Sequence, residues 1–396
     1  MQGALLAPPS FEILKNLSRI FPFKRFPLQK NLYIDNFLSS CYHHFWGPSP
    51  LKPVHKLFLR KETLHMEKAV KRIGILTSGG DAPGMNAAVR AVVRTAISQG
   101  VECVGIRRGY HGLINGDFVK LEASSVSHII HKGGTMLYTA RSQEFTTPEG
   151  REKALATCRL LGLDGIVTIG GDGTFRGALA LSRQAAEHGH QLQVVGIPAT
   201  IDNDIGCSHY TLGFDTACNT AIDCIDKLRD TMQSHERCSV VEVMGRHAGY
   251  LALCVGLAVG ATAVLIPERE FNFEADVVEP IRKARLAGVP HFMVVVAEGV
   301  GSAVAIADRI EKEMGIDPRV TVLGHIQRGG TPSSRDRETA SRMGYAAVQS
   351  LVEGLGNRVI ATQEGSVVNL DMEEALAMTK EFPYDRYDVL EALSRH

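Results

Sequence analysis

From residue 66 onward, short β-branched runs alternate with stretches whose apolar positions recur every three or four residues, the pattern of a wound α/β fold. A first strand is predicted at 73–76, running into Thr77-Ser78-Gly79-Gly80-Asp81. A helix follows from about 85 to 99, with Gly100 as its stop. Thr147-Pro148-Glu149 reads as an N-cap and a first-turn proline, opening a helix that ends at Gly162. Strands at 165–169 and 194–197 run into Gly-Gly-Asp-Gly-Thr and Pro-Ala-Thr-Ile-Asp-Asn-Asp. Further strands are predicted near 239–244, 263–266, 291–297 and 320–323. A long helix from 214 to about 232 is expected to link two α/β halves. There is no repeat of 20–50 residues.

Composition divides the chain near residue 66. Residues 1–65 carry nine Lys/Arg against three Asp/Glu, ten of the 25 aromatic residues including Trp46, and two of the 39 glycines. That segment lacks the uninterrupted apolar run and small-residue cleavage site of a secretory signal. It is basic like a transit peptide, yet neither Arg-rich nor strongly Ser-rich. With the chain restarting at Met66 just before a strand, 1–65 is read as an N-terminal extension outside the folded domain. The full chain balances 43 basic against 43 acidic residues. No general field for nucleic acid or an anionic membrane follows, so any phosphate binding must be local. No run of 18 apolar residues is present. The eight cysteines form no CxxC and no Cys/His cluster at zinc spacing, which suits reduced thiols in a cytoplasmic protein.

The candidate chemistry lies in the three loops that leave strands. In open α/β sheets, ligands sit in the crevice beyond the carboxyl ends of the strands. Two of the loops, Thr77–Asp81 and Gly170-Gly171-Asp172-Gly173-Thr174, offer glycines where a polyphosphate needs close backbone N–H groups. Asp172 is a hard oxygen ligand suited to Mg²⁺ held jointly with substrate phosphates. In Thr200-Ile201-Asp202-Asn203-Asp204, the first carboxylate could take a proton from an alcohol and the second orient it or the metal. Arg237, Arg246, Arg319 and Arg328 lie near strand ends, and guanidinium groups suit phosphate esters and a transferring phosphoryl group. Glu298 ends an apolar run and could accept hydrogen bonds from a sugar. There is no GxxxxGK(S/T) loop, and the glycines after Gly171 miss the GxGxxG spacing by one residue.

These residues sit in a long motif set: LTSGGDAPGMNAA, IGGDGT, TIDNDI, VEVMGR and VLGHIQRGG. In order and spacing, residues from about 66 to 370 resemble the bacterial ATP-dependent 6-phosphofructokinase family. The resemblance implies two similar Rossmann-like three-layer α/β/α domains with the active site in the cleft between them. It assigns 66–212 plus 327–380 to an ATP-binding domain, 213–326 to a fructose 6-phosphate-binding domain, and 381–396 to a C-terminal tail. Asp202 matches the base that deprotonates the sugar 1-hydroxyl, with Thr200 beside it and Arg246 stabilising the moving phosphoryl. Gly80, Arg141, Ser142, Gly171, Asp172, Gly173 and Thr174 match ATP-contacting positions, Asp172 as the Mg²⁺ ligand. Met244, Gly245, Glu298, Arg319, His325 and Arg328 match the sugar-phosphate pocket. Arg237 matches an arginine that reaches the pocket from a neighbouring subunit, which implies a homotetramer.

Pyrophosphate-dependent members carry an aspartate where this chain has Gly173 and a lysine where it has Ala199, so ATP is the expected donor. The alternatives are a pyrophosphate-dependent enzyme or a catalytically silent regulatory subunit; intact Asp172, Asp202 and Arg246 disfavour the second. A dinucleotide oxidoreductase would need the missing GxGxxG. Of the family's effector ring, Arg90, Arg94 and Arg229 remain. Ala123, Thr262, Ala287 and Val289 replace an arginine, a Mg²⁺-binding glutamate and two lysines, so a degraded effector site is expected.

Overall fold

A computed structural model describes residues 70–394; the predicted extension 1–65 lies outside the described residues. The chain opens with β1 (Arg72–Thr77), α1 (Met85–Ser98), β2 (Glu102–Ile106), α2 (Gly109–Asn115) and β3 (Phe118–Leu121). It continues through α3 (Pro148–Leu161), β4 (Gly165–Gly170), α4 (Asp172–Glu187) and β5 (Gln193–Pro198). The long helix α5 (Phe214–His235) leads to β6 (Cys238–Val243), α6 (Tyr250–Ala258) and β7 (Ala263–Leu265). After α7 (Glu279–Leu286), β8 (Phe292–Ala297), α8 (Ala303–Met314) and β9 (Arg319–Val322), α9 (Ser334–Val352) returns to the first half. There β10 (Arg358–Gln363), β11 (Ser366–Asp371) and α10 (Met372–Ala377) precede α11 (Tyr384–Leu393).

Two sheets result. The larger has the order β11-β10-β5-β4-β1-β2-β3, parallel except for the edge strands β3 and β11. The smaller, β7-β8-β6-β9, is parallel throughout. Parallel strands must bury both faces, and each sheet does so. Ile73, Ile75, Val167 and Val195 pack with the α1 and α9 residues Met85, Val89 and Met343. Ile166, Val194 and Val359 face the other way, onto Leu155 of α3 and Phe175 and Leu179 of α4. In the smaller sheet Val240, Val294 and Val296 pack on Ile281 and Ile310, while Val241, Val243 and Val295 join the first cluster with Leu251 and Val255. The first cluster therefore runs unbroken between the two halves, giving the expected pair of three-layer α/β/α units.

The Thr147 cap forms as its sequence predicts: its side chain accepts from the backbone N–H of Gly150 at 3.0 Å, and Gly162 ends the helix in the left-handed region. The long helix runs three residues beyond its predicted end. Residues 384–393, read from sequence as part of a tail, form α11, which buries Tyr387 and Leu390. No helix among the described residues is long and apolar enough to cross a membrane.

Candidate active site

In the larger sheet β1, β4 and β5 run parallel and adjacent, so their carboxyl-end loops must emerge side by side. Ser78 donates its backbone N–H to the carbonyl of Ile169 at 3.0 Å, and Ala199 donates to Gly170 at 2.9 Å. The hydroxyl of Thr174 reaches the Ser78 carbonyl at 3.2 Å, locking the first two loops together. Around these loops lies a cleft of about 590 Å³. It brings together Gly80, Arg141, Ser142, Gly171, Asp172, Gly173, Thr174, Thr200, Asp202, Arg246 and Arg328 from the predicted set. Asp204 lines it as well, and Arg246 is contributed by the loop after β6 of the smaller sheet.

The electrostatics single out Asp202. It is 7% exposed, and its Oδ1 has no hydrogen-bond partner among the described residues. Burial, and then the nearby Asp204 carboxylate, push its carboxyl above the usual range; Arg328 and the Thr200 hydroxyl pull the other way. Asp172, at the start of α4, is raised for the same two reasons in the same order, with Arg176 opposing. A buried acceptor without a donor is costly unless something fills the place. A hydroxyl or N–H donor has the right chemistry to fill it. Arg328 donates to the carbonyl of Asp81 at 3.3 Å; a Cβ on Gly80 would lie 2.5 Å from its Nη1, so a side chain there would displace the guanidinium.

The wall near Arg141 and Ser142 rests on Tyr110, which is buried and donates to the Thr174 carbonyl at 2.5 Å while stacking on Phe145 at 3.9 Å. Burial pushes the Tyr110 phenol far above its ordinary range, so it stays a neutral donor.

Glu298 also serves the backbone. Its Oε1 accepts the backbone N–H groups of Gly245 at 3.2 Å and Arg246 at 2.6 Å, so it shapes the turn in which Arg246 sits at φ 58. Met244 is buried and donates its N–H to the side chain of Gln327 at 2.8 Å. Sequence reading missed Gln327; its only cue was a polar residue inside the GHIQRGG run. His325 stands exposed on the 3₁₀ turn Gly324–Arg328 and does not line the cleft.

Arg319 lies apart from these residues. It begins β9 at the amino end of the smaller sheet, in register with Ser239, and pairs with Asp317 at 2.8 Å. Arg237 precedes β6 at the same end and lines a separate groove with Arg285 and Asp317. Neither lines this chain's cleft, which opens at the carboxyl ends.

The effector candidates are partly committed elsewhere. Arg94 donates to the Ala123 carbonyl at 3.3 Å, and Arg229 donates to the carbonyl of Val259, capping α6. The Thr262 hydroxyl accepts the N–H of Met293 at 3.1 Å.

The family model described as phosphofructokinase matches residues 72–351. The ATP-dependent 6-phosphofructokinase of Clostridium botulinum (strain Hall) is 50% identical over 326 residues, 82% of this chain and 100% of that one. That of Shouchella clausii is 52% identical over 325 residues, with the same coverage. Among solved structures, phosphofructokinase from Saccharomyces cerevisiae matches with a TM-score of 0.73 at 34% identity, over 82% of this chain and 46% of that one. A pyrophosphate-dependent phosphofructokinase from Marinobacter aquaeolei, at 22% identity and a TM-score of 0.72, covers 83% of this chain and 92% of its own and shares the fold. On these matches and on this cleft, the chain belongs to the phosphofructokinase family.

Proposed function

We propose that the cleft transfers the γ-phosphoryl of ATP to the 1-hydroxyl of fructose 6-phosphate, giving fructose 1,6-bisphosphate and ADP, as an ATP-dependent 6-phosphofructokinase of the cytoplasm. The observation that carries this reading is the convergence of two glycine-rich loops, a buried unpartnered Asp202 and the guanidinium groups of Arg246 and Arg328 in one cleft. The names of the two bacterial relatives support it.

In this reading the larger sheet, with residues 66–212 and 327–380, holds ATP, and 213–326 holds the sugar phosphate. Gly171 and Gly173 leave room for phosphates to approach the backbone, Gly80 brings them to the Arg328 guanidinium, and the start of α4 offers free N–H groups. Asp202 takes the proton of the attacking hydroxyl, with Thr200 beside it, and Arg246 faces the charge that spreads over the phosphoryl group in transit. Little covalent chemistry is asked of the protein; positioning and charge stabilisation do most of it.

The residues fit a shared Mg²⁺ ion. Among the described residues no three His, Cys, Asp or Glu side chains group to hold a metal by themselves, so an ion must complete its shell with substrate phosphates. Asp172, with Asp204 close enough to influence it, would hold the ion, which when bound neutralises charge on the phosphates. Arg237 and Arg319, both away from the cleft, are assigned to a neighbouring copy's sugar-phosphate pocket in a homotetramer. The effector site around Arg90, Arg94 and Arg229 is read as degraded.

Gly173 favours ATP over pyrophosphate as donor, since it brings no carboxylate into the phosphate region. A coupled assay offering either donor with fructose 6-phosphate tests the reading. Turnover with pyrophosphate but not ATP, or with neither, would refute it.

A further inference from the structure

The loop that carries Asp202 contains a conformational oddity: Asn203, between the two aspartates, has φ 55, a left-handed backbone that costs a non-glycine residue energy. Its side-chain Oδ1 accepts from the backbone N–H of Thr211 at 3.1 Å and from the Thr211 hydroxyl at 3.3 Å. Its backbone carbonyl accepts from a residue 177 positions later. There Lys380 Nζ donates to it at 2.7 Å and to the carbonyl of His209 at 3.3 Å. One ammonium thus ties together both limbs of the loop.

The segment that brings Lys380 there is tied at both sides. Gly206 lies so close beneath Met378 that a Cβ would run into the Met378 carbonyl oxygen. The Tyr250 hydroxyl donates to the carbonyls of Lys380 at 3.3 Å and Glu381 at 3.4 Å, and the Tyr250 ring lies 5.0 Å from the Lys380 ammonium. Tyr250 opens α6, four residues after Arg246. Tyr384 donates to the carbonyl of Glu268, whose own carboxylate accepts the N–H of Gly249 at 2.7 Å. Residues 378–384 therefore bridge the Asp202 loop of one sheet to the helix behind Arg246 in the other.

We propose that Lys380, which does not line the cleft, is a positioning residue for phosphoryl transfer: by holding the Asn203 carbonyl it fixes the peptide between Asp202 and Asp204. The proposal rests on the reading of Asp202 as the base. A charged donor on two carbonyls suits the role, because charge-assisted bonds are the stronger ones and resist the strained turn's relaxation. Burial pushes the Lys380 ammonium down to about 8, with the Asp204 carboxylate opposing, so it remains mostly protonated at pH 7. Asp202 is the group that must be placed to within tenths of an ångström for proton transfer, whereas substrate affinity draws on many other contacts. Loss of the tie should therefore fall on turnover.

The test compares the full-length wild type with Lys380→Met and Lys380→Arg by steady-state kinetics and by backbone amide exchange. Lys380→Met should lower kcat about tenfold or more while KM for ATP and for fructose 6-phosphate stays within about threefold. Lys380→Arg, which keeps the charge, should exceed Lys380→Met in kcat by at least about threefold. Peptides from 200–212 should exchange about tenfold faster in Lys380→Met, with β6 unchanged. Unchanged exchange in 200–212 overturns the proposal. So does unchanged kcat beside a lowered Tm, a raised KM at constant kcat, or no advantage of Arg over Met. If Lys380→Met does not fold, Lys380→Gln is judged by the same criteria. If the wild type turns over neither substrate pair, the functional reading fails on its own, and the exchange of 200–212 decides for or against the tie.

Discussion

Replacing Asp202 with Asn keeps the shape of the side chain and removes its charge and its basicity. Two consequences follow from where the carboxylate sits. In catalysis, losing a general base costs about 10²–10⁴-fold in turnover, or roughly 3–5.5 kcal/mol on the barrier, with substrate affinity largely retained. In stability the sign is opposite. The folded-state carboxyl is raised above its ordinary value of 3.8 by burial and by Asp204. The folded protein then holds a proton that the unfolded chain releases, so stability contributed by protonated Asp202 is lost as pH rises from that ordinary value through the raised folded one. At neutral pH the native carboxylate is a burden, with Oδ1 desolvated and without a partner. Asp202→Asn should therefore stabilise the substrate-free enzyme by about 1 kcal/mol, or roughly 1–3 °C in Tm, at pH 8, and by less at pH 5. A coupled assay of ADP release and thermal unfolding at the two pH values read both effects. Near-normal turnover with collapsed affinity would make Asp202 a binding residue. A variant less stable than wild type at pH 8 would refute the electrostatic argument.

Arg246→Ala should lower kcat about 10²–10³-fold with little change in KM, because the charge it faces develops in the transition state; an equal rise in KM would show ground-state binding instead. Gly173 has open space where a Cβ would go, so Gly173→Asp should leave Tm unchanged but raise KM for ATP about tenfold or more by setting a carboxylate against the phosphates; unaltered ATP kinetics would remove Gly173 from the phosphate region. ADP and phosphoenolpyruvate at millimolar concentration should shift the half-saturation point for fructose 6-phosphate by less than about twofold, since three basic contacts worth about 1.5–3 kcal/mol each are missing; a several-fold shift abolished in Arg90→Ala would show a working effector site. The acid limb of kcat/KM should lie above the ordinary carboxylate range, as burial and Asp204 raise Asp202; a limb near pH 4 would speak against it as the base.

The sequence made the cleft legible because its signals are local. Glycines, an N-cap threonine and β-branched runs act within a few residues of themselves, and the parallel order of β1, β4 and β5 then forces their loops together. Strands β2, β3, β10 and β11 were not predicted. The edge strands β3 and β11 are antiparallel, short or half-exposed, and bury too little on either face to show a period, whereas β2 and β10 are short buried runs without an alternating pattern. Arg237 and Arg319 show that nearness to a strand end carries no direction, so their place relative to this chain's own cleft was not legible. Both stand at amino ends, where a parallel sheet presents nothing to its ligand crevice, and only the register of β6 with β9 reveals it.

What stayed hidden at the site itself has a common cause. Asn203 and Arg246 both adopt left-handed backbone, φ 55 and 58, in the loops after β5 and β6. Asn tolerates that conformation better than most residues and Arg does not, and each turn has a local bond, Thr211 N–H to the Asn203 side chain and Ala248 N–H to the Gly245 carbonyl, beside a distant one. Arg246 is held by Glu298, 52 residues away, and Asn203 by Lys380, 177 residues away. Strained backbone of this kind costs on the order of 1–3 kcal/mol per residue and persists only where surrounding structure over-determines it. The partners that supply the constraint, Glu298, Gln327 and Lys380, are buried or half-buried polar groups without a local motif. Motif reading therefore finds the groups that face the substrate and passes over those that aim them. The two turns thus take part of their geometry from ties 52 and 177 residues away, which no loop motif displays.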